Sequence, residues 1–255
     1  GENGVYKSPQ WLLPEDSNKD KVSNFSFEFD GVDDFISVAH NTSLDVVTAN
    51  HSLSFWMKTP TGNVQALMEK GRNEELAAFI INNKIYWGGS NGYYGGTTVV
   101  NDGNWYHIVF VADGSSSEIF INGSSVATGG NKIEASANTD DFTIGMDADG
   151  NNEYTGNLDE IAIFDYALSS SDVISIYNSG VPNNLNDLST APVVWLRMGE
   201  QATFSTNWTV PDEVGSADGT SANMTIEDRV GEASNSSNNS LSYNMDEVDR
   251  ESDTP

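Results

Sequence analysis

No cysteine occurs anywhere in the chain, which removes disulfides, thiolate zinc sites and cysteine nucleophiles at once. Basic residues are scarce: 11 Lys and Arg stand against 38 Asp and Glu, a formal charge of −27. Such a surface repels phosphate backbones and anionic lipid, so neither nucleic acid nor membrane insertion is expected. No run approaches the roughly 20 apolar residues of a membrane span. The opening "GENGVYKSPQWLLPEDSNKDK" lacks the apolar centre of a secretion signal. His40, His51 and His107 lie far apart, no Ser-His-Asp ordering is supported, and no glycine-rich loop leads a strand into a helix to hold phosphate. The in-strand carboxylate pair of a glycosidase is missing too. Glu74 and Glu75 are adjacent, so strand alternation points them to opposite faces. From these absences a binding protein is expected, and not an enzyme.

What is present is strand chemistry. With 255 residues, 37% of them hydrophobic, the chain can bury one sizeable core. A polar arm over 1–23 precedes a strand-rich domain over 24–180. The domain's short β-branched and aromatic runs, such as "FSFEF", "FISVA", "SLSFWMKT" and "DFTIGM", are separated by Gly, Asn, Asp and Ser clusters. That texture predicts an all-β sandwich. In "AAFIINNKIYWGG" the pair Asn82-Asn83 predicts a tight hairpin, because asparagine tolerates positive φ. "ALSSSDVISIYNSG" predicts one helix, with a serine cap, an apolar face of Val173, Ile174, Ile176 and Tyr177, and a stop at Gly180. Residues 181–255 carry thirteen acidic and three basic side chains and read as a Ser/Asn-rich extension. "APVVWLRM" and "FSTNWTV" within it look like short strands, so this arm is expected to order against its own domain or a neighbouring subunit. Trp195 and Trp208 are its expected anchors, while Trp56 and Trp105 sit in apolar strands and are expected in the core.

Three stretches could carry function. "FDGVDDFISV" sets Asp30, Asp33 and Asp34 in one turn, where they can accept backbone N–H bonds or offer oxygens to a hard cation. "DADGNNEYTGN" also alternates oxygen ligands. Its glycine stands fourth instead of sixth and Leu158 occupies the twelfth position, which rejects a helix-loop-helix calcium loop and leaves a solvated loop. "KIYWGGSNGYYGG" places Tyr86, Trp87, Tyr93 and Tyr94 among glycines. Those rings are either core or a surface on which the apolar faces of sugars can stack.

"FEFDGVDDFISV", "SLSFWMKT", "WYHIVFVADGSSSEIFING" and "YTGNLDEIAIFDYALSSSDVISIYNSG", in that order, resemble the laminin-G-like branch of the concanavalin A-type jelly rolls. The resemblance implies two antiparallel sheets face to face, one short helix, and first and last strands side by side. It also implies a structural calcium where the aspartate-rich turn meets the acidic pair Asp159-Glu160, with Asp30, Asp33 and Asp159 supplying side-chain oxygens. "STAPVVWLRMGE" and "SLSYNMDEVDRESDTP" are similar to extensions of laminin-G-like domains in structural proteins of marine tailed phages. That likeness implies a virion component, a capsid decoration or fibre-like appendage. Its expected partners are other virion proteins, further copies of itself and a cell-surface glycan. A secreted or cell-surface bacterial adhesion module is the alternative, and a glycoside hydrolase stands third.

Overall fold

The structure, a computed structural model, describes residues 23–46, 50–71, 76–89, 92–131 and 138–231. Residues 1–22 of the expected arm over 1–23, and the end of the chain beyond 231, lie outside the described residues. In chain order the first strands are β1 (Ser26–Asp30), β2 (Phe35–Val38), β3 (Asn50–Lys58), β4 (Gln65–Lys70), β5 (Leu76–Ile81), β6 (Lys84–Gly89) and β7 (Gly92–Val99). They are followed by β8 (Trp105–Asp113), β9 (Ser116–Ile121), β10 (Ser124–Asn131), β11 (Phe142–Ile144) and β12 (Thr155–Phe164). After the helix α1 (Ser170–Tyr177) come β13 (Val194–Leu196), β14 (Thr203–Phe204), β15 (Trp208–Val210), β16 (Gly219–Ala222) and β17 (Arg229–Val230).

Two antiparallel sheets result. One runs β10-β9-β8-β3-β12-β1-β17, with β13 beside β12, and the other runs β14-β15-β16-β2-β11-β4-β5-β6-β7. This is the expected jelly-roll sandwich, and β1 lies against β12 as expected. Alternation decides which side chains enter the core: Phe27, Phe29, Ile36, Phe55, Phe110, Ile144, Leu158 and Trp87 meet between the sheets and are fully or almost fully buried. The Asn82-Asn83 hairpin forms with φ of 51° and 70°. Helix α1 has a capping box, in which Asp172 N–H donates to the Ser169 hydroxyl and Ser169 N–H donates to the Asp172 carboxylate. The helix ends at Asn178, in left-handed conformation at φ 44°, two residues ahead of the expected glycine stop. Asparagine serves there because its short side chain tolerates that region. Val173 and Ile176 pack on Val109, Phe120 and Phe164, so the helix covers the outer face of the first sheet, and Ile174 points to solvent.

The expected boundary at residue 180 is not a boundary of the sandwich. Residues 181–231 belong to both sheets: β16 pairs with β2, β17 with β1 and β13 with β12. The physical reason is burial: Trp195, Leu196, Trp208 and Val210 are at most 2% exposed, and Trp208 packs edge-on against Phe27 with ring centroids 5.2 Å apart. Of the two expected anchorages for this segment, its own domain is the one observed. No helix among the described residues is long and apolar enough to cross a membrane.

Candidate functional site

The seven residues expected to carry function fall into different places. Asp30 closes β1, and its Oδ1 accepts the N–H groups of Val32 at 2.8 Å and Asp33 at 3.4 Å, an Asx turn. Asp34 Oδ2 accepts the Asp30 N–H at 3.0 Å from the other side. Carboxylate oxygens of Asp30, Asp33 and Asp34 lie within 4.8 Å of one another, Asp34 buried and the other two exposed. Burial pushes the Asp34 carboxyl up to about 6; the Asp30 N–H opposes this, and the charges of Asp30, Asp228 and Asp33 add to it. The turn fits a hard cation, since each of the three carboxylates has an oxygen that the turn's own hydrogen bonds do not use and their crowding favours a positive charge.

Asp159 is not part of that group. Register places it opposite the start of β1, whereas Asp30 pairs with Thr155 at the other end of the strand. Four residues of strand separate the two positions, about 13 Å. Asp159 and Glu160 occupy a bulge in β12, Glu160 with φ 49°, where the upstream half of the strand pairs with β1 and the downstream half with β13. Asp159, Glu160 and Glu200 form a second, buried acidic group. Glu160 accepts the Trp195 indole N–H at 2.7 Å and the Arg197 Nε–H at 3.3 Å. Glu200 accepts the Phe25 N–H at 3.0 Å and the Asn24 N–H. Ser23 Oγ stands 3.0 Å from Asp159 and 3.1 Å from Glu200. Burial pushes the Glu160 carboxyl up to about 7 against the opposing pull of Arg197. This group fastens the segment entering β1 onto the residues after β13.

The four aromatic residues divide by strand alternation. Trp87 is fully buried, stacked on Phe110 at 5.2 Å and met edge-on by His51 at 5.3 Å. Tyr94 packs against the same core. Tyr86 and Tyr93 face the other way, onto the outer side of β5, β6 and β7, where they join the buried Phe79, Ala77 and Ala66 and the partly buried Ile81. Each tyrosine lies over a glycine of the neighbouring strand. A Cβ on Gly88 would come within 2.5 Å of the Tyr93 ring, and one on Gly95 within 2.3 Å of the Tyr86 ring. Phe79 meets Tyr93 edge-on at 5.6 Å, and Tyr93 remains 49% exposed. The result is an aromatic floor on the outer face of the second sheet, with Tyr93 as its exposed ring and Phe79 buried beside it.

Trp56 and His107 lie on the opposite, helix-covered face. His107 is fully buried between Trp56, at 4.9 Å, and Tyr177, at 5.9 Å, with its Nε2 2.9 Å from Ser54 Oγ. Burial holds its imidazole down to about 3, so the ring is neutral and anchors α1 through Tyr177.

The family profile of the concanavalin A-like lectin/glucanases superfamily matches residues 30–174. In structure the chain is similar to a protein of Bacteroides ovatus provisionally described as carbohydrate binding. The two share 16% identity and a TM-score of 0.63, over 80% of this chain and 59% of that one. A heptameric pentraxin of Limulus polyphemus aligns over 66% of this chain and 86% of its own, at 13% identity and a TM-score of 0.48. Among curated proteins, adhesion G-protein coupled receptor V1 of Danio rerio is 22% identical over an alignment of 180 residues, which covers 60% of this chain and 3% of the receptor. This chain thus spans a small fraction of that relative's length. The profile covers more than half of the residues and the two-sheet topology agrees with it: the chain belongs to the concanavalin A-like lectin/glucanases superfamily.

Proposed function

We propose that this domain is a carbohydrate-binding module without catalytic activity, that its contact surface is the aromatic floor of β5, β6 and β7, and that it is displayed on a phage particle. The observation that carries the binding reading is the pair of tyrosine rings laid over Gly88 and Gly95. Rings seated on glycine keep a fixed orientation at little entropic cost and leave an aromatic face to stack on a sugar. The non-catalytic reading is supported by Glu69, the carboxylate that register places on the floor's own row. It is 2% exposed and accepts the Ala148 N–H at 2.9 Å. Tyr93→Ala is expected to abolish retention on immobilised polysaccharide while the melting temperature stays close to that of the parent. Unchanged retention would sink the binding reading, and release of reducing sugar from the polysaccharide would sink the non-catalytic one.

The viral setting is supported by the likeness of residues 181–255 to phage structural extensions and by the charge of −27, which keeps a displayed domain soluble. A bacterial adhesion module fits the same fold, and the matched curated relative is itself named an adhesion receptor. Composition of purified particles separates the two: stoichiometric copies per particle support the virion, and recovery from bacterial surface or culture fractions alone supports the adhesin. A calcium ion is proposed at Asp30, Asp33 and Asp34, in place of the expected set with Asp159, because those three carboxylates converge.

A further inference from the structure

Lys70 ends β4 two positions after the core residue Met68, so strand alternation turns its side chain inward, where it is fully buried. A lysine buried to this degree needs polar partners. Its Nζ donates to Asp45 Oδ1 at 3.2 Å, to the Asn138 side-chain Oδ1 at 3.2 Å and to the Asn138 main-chain oxygen at 3.0 Å. The Asn138 carboxamide is itself held in place, because its Oδ1 accepts the Asp140 N–H at 3.0 Å. It fills the space that Gly71 leaves: a Cβ there would come within 2.4 Å of Nδ2 and 2.8 Å of Cγ. Asp45 is partly exposed, and its Oδ1 also lies 3.8 Å from His40 Nδ1. An ion pair with Asp45 would be enough to keep a lysine buried. The carboxamide brings something an ion pair does not use, an electrophilic carbon beside the amine with its oxygen already facing a backbone donor.

We propose that Lys70 and Asn138 are joined by an intramolecular isopeptide bond, which the chain forms on itself. Three requirements of amide exchange meet at this point: an amine held away from water, a carboxylate to move its protons, and a donor on the carbonyl oxygen. Asp45 takes a proton from Nζ, the freed lone pair adds to Asn138 Cγ, and the Asp140 N–H stabilises the charge that develops on Oδ1. The Nζ–Cγ bond forms and the Cγ–Nδ2 bond breaks. Two of the three ammonium protons pass to Nδ2, which departs as ammonium, so atoms and charge balance without oxidant or cofactor. Cγ lies one C=O bond, about 1.2 Å, from the oxygen that Nζ already touches, so the attack needs a small shift of the lysine and no movement of strands. Register supplies the proximity: Phe142 of β11 pairs with Lys70, and Asn138 lies in the segment entering β11. The bond ties the end of β4 to that segment and closes the stretch containing β5 to β10 into a covalent ring.

Intact-mass spectrometry of the full chain, with tandem fragmentation of its peptides, tests the bond. The purified protein is expected to weigh one ammonia less than its sequence and to yield a branched peptide joining Lys70 to Asn138. Lys70→Arg and Asn138→Ala are each expected to have the full mass of their sequences. Asp45→Asn is expected to remain mostly unlinked when the parent is fully linked. A parent at full sequence mass overturns the proposal. So does an ammonia loss that persists in Lys70→Arg, since a succinimide at Asn122-Gly123 would also produce one. Linking of Asp45→Asn as complete as that of the parent removes Asp45 from the reaction. Where a variant fails to fold, the presence or absence of the branched peptide in the parent decides.

Discussion

Tyr86 and Trp87 are neighbours in sequence and face opposite sides of one strand, as do Tyr93 and Tyr94. Period-two alternation alone requires this split, so the four aromatics of the glycine-rich stretch could never form one site. What the residues could not reveal is which pair faces the core, because that depends on the register of β5, β6 and β7. Trp87→Ala is expected to cost about 3–5 kcal/mol by urea denaturation, since it empties a core position against Phe110. A loss under about 1 kcal/mol would place Trp87 outside the core. His107 gives a pH test at the same scale. Its folded-state value of about 3 lies below the ordinary 6.5, so the unfolded chain binds the proton more readily. The neutral ring's contribution is therefore complete above pH 6.5 and is lost as pH falls toward 3. His107→Phe is expected to flatten the stability profile of the parent across that window by a few kcal/mol. Parallel profiles for the two proteins would show that His107 does not titrate on unfolding.

At the scale of elements, local chemistry is legible in the sequence and long-range convergence is not. The Asn82-Asn83 hairpin, the Ser169 cap and the first strand beside β12 all follow from adjacent residues or from the family likeness. The ion site depended on which carboxylates meet across strands. The bulge at Asp159 and Glu160 turns that pair toward Glu200 and Arg197, away from the aspartate turn. The two groups answer differently to removal of calcium. Calcium is expected to raise the melting temperature, with a stabilisation near 2.7 kcal/mol at a hundredfold excess over Kd. Asp33→Ala is expected to remove that response without unfolding the domain, because its side chain is exposed. Asp159→Ala is expected to lower stability and keep the calcium response. Coincident melting curves in calcium and in chelator would reduce the three aspartates to turn formers. Loss of the response in Asp159→Ala would reinstate Asp159 as a ligand.

For the whole molecule, residues 181–231 close the fold, where composition suggested an extension ordered against its own domain or a neighbouring subunit. Averaged over 181–255, the Ser, Asn and acidic residues mask the five short strands β13 to β17. Their two tryptophans, named as anchors from sequence alone, are the part of the reading that bears on packing. Without β16 and β17, the outer edges of β2 and β1 would present unpaired N–H and C=O groups, and Phe27 would lose the Trp208 ring. A chain ending at residue 231 is therefore expected to melt cooperatively. A chain ending at residue 180 is expected to aggregate or to lack a cooperative transition, since it exposes both sheet edges and the core around Phe27. Limited proteolysis with mass spectrometry reads the same boundary on the intact protein, with a resistant fragment that includes residues 181–231. A resistant fragment ending near 180, together with a cooperative transition in the shorter chain, would return residues 181–231 to the status of an appended arm. In that case the burial of Trp195 and Trp208 would be a consequence of the sandwich and not one of its supports.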